Sequence, residues 1–156
     1  MEPRINVFEK GGNAVKALYG FGSYLAKSSI EQSLLHLMYF RVSQINGCAY
    51  CLDMHSKDLR AAGESEQRLH MIAAWREAPI YTNRERAALA WAEAVTELNG
   101  NQVPDEVYNE VSGEFSEQEI IDLTIATIAI NSYNRINIAF RTHAGTYQPG
   151  QFAVHA

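Results

Sequence analysis

Apolar residues recur with a helical period along most of the chain, and no segment shows the period of two that marks a half-buried strand. From Ser29 onward, Ile30, Leu34, Leu37, Met38, Val42 and Ile45 fall on one helical face, and the pair Asn46-Gly47 is a stop signal for that helix. A second helix opens at or near Cys48 and runs to Ala62, ending at Gly63. A weaker pattern covers Asn13 to Lys27, with Gly20 and Gly22 inside it. Ser65 to Trp75 reads as a further helix, stopped before Pro79. Thr82 and Glu85 have capping-box spacing and start a helix that carries Ala87, Leu89, Ala90, Trp91, Ala94, Val95 and Leu98. Pro104 suits the first turn of a short helix to about Ser112. Ser116 and Glu119 form a second capping box, opening a long helix through about Thr142. The pattern predicts one all-α domain over residues 1–156, a bundle of six to seven helices with its core at about 25–142.

Length and composition agree with this. A chain of 156 residues, 47% apolar and 20% charged, can bury a core without disulfide or metal staples. The net charge of −5 and the scattered basic residues argue against a nucleic-acid partner. Met1 to Lys10 carries Glu2, Arg4, Glu9 and Lys10, with no apolar stretch to serve as an export signal. Ile120 to Phe140 is broken by Asp122, Asn131, Asn134, Arg135 and Asn137, so it reads as a core helix and not a membrane span. The expected location is cytoplasmic.

The chemistry centres on the two cysteines, Cys48 and Cys51. A disulfide between them closes too small a loop to stabilise a fold, so the spacing points to reactivity or ligation. At the start of a helix the two thiols share a face, and His55 lies one turn further along it. The helix N-terminus favours a thiolate there. His55 can reach the sulfur of Cys51, whereas Cys48 is about 10 Å away along the axis. Helix reach therefore favours Cys51 as nucleophile, with Cys48, nearer the tip and more exposed, resolving it. The dipole argument favours Cys48 as the thiolate. If the helix before Gly47 packs antiparallel to the one after it, His36 comes level with residue 57, close enough to exchange protons with His55.

Covalent haem attachment needs a His directly after the second Cys, where Leu52 stands. A thioredoxin-type motif needs a βαβ context, which the pattern lacks. No second Cys pair completes a structural zinc site, although Cys48, Cys51, His55 and His36 together are a chemically competent zinc set. No cofactor or metal is called for by the redox reading. Asn131, Asn134 and Asn137 form a polar stripe best read as cross-links between helices or subunits. Trp75, Trp91 and the aromatics from Tyr19 to Tyr24 read as core or interface, and His70, His143 and His155 as surface or capping residues.

The segment RVSQINGCAYCLDMH, from Arg41 to His55, resembles the core of the AhpD-like alkylhydroperoxidase family, part of the carboxymuconolactone decarboxylase superfamily. The likeness continues in Glu85 to Glu93, Val103 to Val107 and Ile130 to Asn137. It implies an all-helical domain that assembles into trimers or hexamers. It also implies reduction of small peroxides by the Cys pair, with electrons drawn from a thiol or disulfide reductant protein. In that family the second Cys attacks the peroxide, the first resolves it and the His joins a proton relay; these roles map to Cys51, Cys48 and His55. Two positions depart from the pattern. The relay Glu twelve residues before the first Cys is His36 here, and the His before the second Cys is Tyr50, a supporting hydrogen-bond donor but a poor base. The decarboxylase branch lacks the Cys pair, so lactone decarboxylation is not expected. A redox-sensing module with little turnover is the alternative function.

Overall fold

Local capping signals set most of the helix boundaries. The computed structural model describes residues 2–151, which form eight α-helices, two short 3-10 turns and, among the described residues, no strand. The helices are α1 (Val7–Lys10), α2 (Gly12–Leu25), α3 (Gln32–Asn46), α4 (Ala49–Ala61), α5 (Glu66–Met71), α6 (Asn83–Glu97), α7 (Asp105–Glu114) and α8 (Glu117–Phe140). Both capping boxes form as expected: Thr82 and Glu85 close the start of α6, and Ser116 and Glu119 the start of α8.

Three boundaries differ from the sequence reading. The single turn of α1 was not expected, because four residues are too few to show a period; the Asn6 side chain caps it by accepting from the Glu9 amide. The helix read from Ser65 to Trp75 is broken at Met71, where the chain tightens into a 3-10 turn at Ile72–Ala74. That tightening seats Ile72 and Trp75 in a core with Leu37, Phe40 and Leu89. Pro104 is the extended N-cap of α7, one position before the first turn.

α8 is the central element, packing on α2, α3, α4, α6 and α7, and α3 packs on α4, α6 and α8. The main core joins Leu35, Met38 and Val42 of α3 to Ala88 and Ala92 of α6 and to Leu123, Ala126 and Ile130 of α8. Cys48 and Cys51 belong to this same core. Trp75 and Trp91 are buried as expected, while Tyr19 and Tyr24 stay exposed. His70 and His143 lie on the surface, and His155 is outside the described residues. No helix among the described residues is long and apolar enough to cross a membrane.

One buried charge ties three elements together. Glu93 on α6 accepts from Arg41 Nε on α3 at 2.6 Å, from Trp75 Nε1 at 2.9 Å, and from Arg76. Burial alone would raise its carboxyl pKa, but these donors outweigh burial and hold it below the ordinary glutamate range. Its contribution to stability is therefore present above the ordinary value and is lost as pH falls through the depressed one. Glu93→Gln leaves the Arg41 guanidinium without its counter-charge and should cost about 3 kcal/mol in urea unfolding at neutral pH. An unchanged midpoint would show that the network contributes nothing net.

Candidate active site

The site is made by the turn between α3 and α4. Gly47 ends α3 in a left-handed conformation, φ 69° and ψ 33°, which reverses the chain immediately before Cys48. Cys48 is then the N-cap of α4, and its sulfur accepts from the Cys51 backbone N–H at 3.4 Å. The two cysteines are not joined in a disulfide, and side-chain hydrogen bonding between them is the largest influence on the pKa of each. The expectation that Cys48 is the more exposed thiol fails: each cysteine is 1% exposed. The reason is that the turn folds inward, where the Cys48 amide donates to Ser43 O at 3.0 Å beneath α8.

The N-cap position separates the two sulfurs electrostatically. The Cys51 thiol donates to Cys48, and the Cys51 and Tyr50 amides add to that donation; together they outweigh burial and lower the Cys48 pKa. Donation to Cys48, then burial, raise that of Cys51. The negative charge of a singly ionised pair therefore rests on Cys48.

The asparagine stripe of α8 does more than cross-link. Asn46 Nδ2 donates to Asn131 Oδ1 and Asn134 Oδ1, each at 2.9 Å, and Asn134 Nδ2 donates to Ser43 Oγ at 3.0 Å. Asn131 reaches Thr96 on α6. These bonds are the inter-helix links expected from sequence. Beyond them, Asn137 Nδ2 lies 3.5 Å from Cys51 Sγ, and the Asn134 amide helps to lower the pKa of both thiols. The sequence reading missed this role. A period of three on a helix was visible, but nothing in it said which helix the amides face.

His55 sits one turn beyond Cys51, 5% exposed, and neither ring nitrogen has a hydrogen-bond partner. Burial, then the neighbouring His36, push its pKa down to about 3, so the ring is neutral at physiological pH. The direct bond to Cys51 that helix reach allows is not formed. The hairpin argument does bring His36 to His55: their ring centroids are 5.7 Å apart at 82°. Tyr39, also unforeseen, packs 5.3 Å from His55. His36 is half-buried with Nδ1 unpartnered, and burial lowers its pKa while Asp58 opposes the shift. Tyr50 packs against the core around the cysteines.

Asp58, one turn after His55, is a third unforeseen neighbour. Its Oδ1 accepts from the Tyr147 hydroxyl at 2.8 Å. The same C-terminal segment is tied to α4 by Lys57 Nζ donating to Gly145 O and Tyr147 O, and by the Gly145 amide donating to Asp53. Donor atoms of His36, His55 and Asp58 all lie within 4.8 Å of one another.

The sequence model of the Carboxymuconolactone decarboxylase family matches residues 13–94. The chain belongs to this family. Among its relatives is the uncharacterized protein YdfG of Bacillus subtilis (strain 168), 38% identical over 94% of this chain and 99% of that one. A crystal structure of an Agrobacterium tumefaciens protein of unknown function, assigned provisionally to the antioxidant defence protein AhpD, is 40% identical with a TM-score of 0.88. It is covered over 94% of this chain and 100% of that one. Within the family the chain is therefore AhpD-like. The debrominase Bmp8 shares the fold at a TM-score of 0.78 and 21% identity, over 89% of this chain and 75% of that one.

The split between the sulfurs has a direct readout. Thiolate absorbance in the far ultraviolet should rise in two steps, one below the ordinary cysteine range and one well above it. Cys48→Ser should remove the low step. A single step for both thiols near pH 8.5 would contradict the N-cap assignment.

Proposed function

We propose that this AhpD-like chain is a thiol peroxidase that cycles Cys48 and Cys51 between dithiol and disulfide. The observation that carries the reading is a pair of free thiols at a helix start, with the Cys51 backbone N–H donating to the Cys48 sulfur, one turn from an imidazole with both nitrogens free. A neutral imidazole can accept a proton and return it, which is what each half of a peroxide cycle needs.

The Cys51 proton passes to the Cys48 sulfur or to His55, leaving a Cys51 thiolate. That thiolate attacks one peroxide oxygen, the O–O bond breaks, and the leaving oxygen takes a proton to depart as water or alcohol. Cys51 is now a sulfenic acid. Cys48 attacks its sulfur, an S–S bond forms, the S–O bond breaks and water leaves. A dithiol reductant protein then supplies two electrons and two protons. His36, half-buried next to His55, passes protons towards solvent, and Tyr50 supports the first turn of the site. A cytoplasmic setting keeps the thiols reduced between turnovers. Exposed Ile121, Ile128 and Ile138 on α8 suit a trimeric or hexameric assembly.

The lowered pKa of Cys48 favours a second reading, in which Cys48 attacks and Cys51 resolves. A sulfenic-acid trap separates the two. On our assignment, Cys48→Ser accumulates a trapped sulfenic acid on Cys51, Cys51→Ser fails to react, and His55→Ala slows oxidation about 100-fold. A trapped acid on Cys48 in the Cys51→Ser variant would reverse the thiol roles. Slow oxidation of the wild type, coupled to a change in assembly on a sizing column, would favour a redox sensor over a peroxidase.

A further inference from the structure

We propose that His36, His55 and Asp58 form a binding site for one first-row divalent metal ion of the zinc class. Two imidazoles and a carboxylate are the donor set of three-ligand sites that keep a fourth position open. Here the donor atoms lie within 4.8 Å of one another. A tetrahedral ion with bonds near 2.1 Å needs donors roughly 3.4 Å apart, so closure requires movements of about 1.5 Å at most.

The layout also fits a site built inside a helical bundle. His55 and Asp58 are three residues apart and project from one stripe of α4, while His36 comes from the facing α3. The i, i+3 pairing of an imidazole and a carboxylate, completed from a neighbouring helix, is a recurrent way of holding metals in bundle cores. Tyr147 donates to Asp58 at 2.8 Å and so orients the carboxylate, as outer partners of metal ligands do.

The independent sign of a missing ligand is His55 itself. It is more than nine-tenths buried, and both of its nitrogens, together with His36 Nδ1, have no hydrogen-bond partner. A buried polar atom left unpaired is costly, and native structures seldom tolerate several in one place. This set differs from the zinc set written from sequence, because Asp58 takes the place of the two sulfurs. An ion at His55 occupies the lone pair that thiol chemistry uses, so a filled site holds the peroxide cycle off. That consequence, unlike the binding itself, rests on the peroxidase reading.

Zn2+ should be titrated into the metal-free chain against a chromophoric chelator, with folding of each variant checked by circular dichroism. We expect one ion per chain in the wild type and in the Cys48→Ser/Cys51→Ser double variant. Affinity should fall at least tenfold in His36→Gln and in Asp58→Asn. Co2+ in the same site should show visible d–d bands without sulfur-to-cobalt charge transfer. Absence of binding would assign the free nitrogens to water and overturn the site. Loss of binding in the double cysteine variant, a sulfur charge-transfer band, or unchanged affinity in both ligand variants would overturn it equally. Zn2+ should also slow loss of thiols to peroxide in the wild type, reversed by a chelator. If the metal-free chain loses no thiols to peroxide, the peroxidase reading fails while the titration still judges the site.

Discussion

The geometry of this protein's chemistry depends on one backbone conformation, the left-handed Gly47 between α3 and α4. A residue with a β-carbon adopts that conformation at a cost of about 1–2 kcal/mol. Open space surrounds the position where a Cβ would stand, so the demand is torsional and not steric. Everything at the site follows from that reversal. It makes Cys48 an N-cap, directs the Cys51 amide at the Cys48 sulfur, and lays α4 along α3 so that His55 meets His36. A right-handed residue at 47 would carry α3 onward and take the thiols away from the asparagines of α8.

Burial then sets the character of each group. The sulfurs sit in the main core but keep polar company, with Asn137 donating to Cys51 from α8. His55 receives no such compensation, and its ring stays neutral with both nitrogens unpaired. The buried charge of Glu93, by contrast, is fully compensated, holding two guanidiniums and an indole. A local failure of satisfaction inside an otherwise consistent fold is where function is expected to lie.

Much of this was legible in the residues. Helical periodicity and two capping boxes gave the architecture, and the Cys-x-x-Cys-x-x-x-His spacing placed three side chains on one stripe. The stop at Asn46-Gly47 even brought His36 to His55 through simple hairpin geometry. What the sequence withheld depends on tertiary packing. Cys48 looked exposed because helix tips usually are, yet this tip is folded under α8. Asn137 and Asn134 showed a period but no direction, and Asp58 and Tyr147 meet only because the C-terminal segment returns to α4. The split of Met71 from the turn that follows reflects the seating of Ile72 and Trp75, a demand made by neighbouring helices.

The central claim is that two buried sulfurs form one reversible redox unit. The most direct test is intact mass and thiol count of the reduced chain after one equivalent of hydrogen peroxide, and again after a dithiol reductant. The account predicts loss of both thiols and of two hydrogens in mass per peroxide consumed, fully reversed by the reductant. Retention of both thiols, or an added oxygen that the reductant leaves in place, would contradict it.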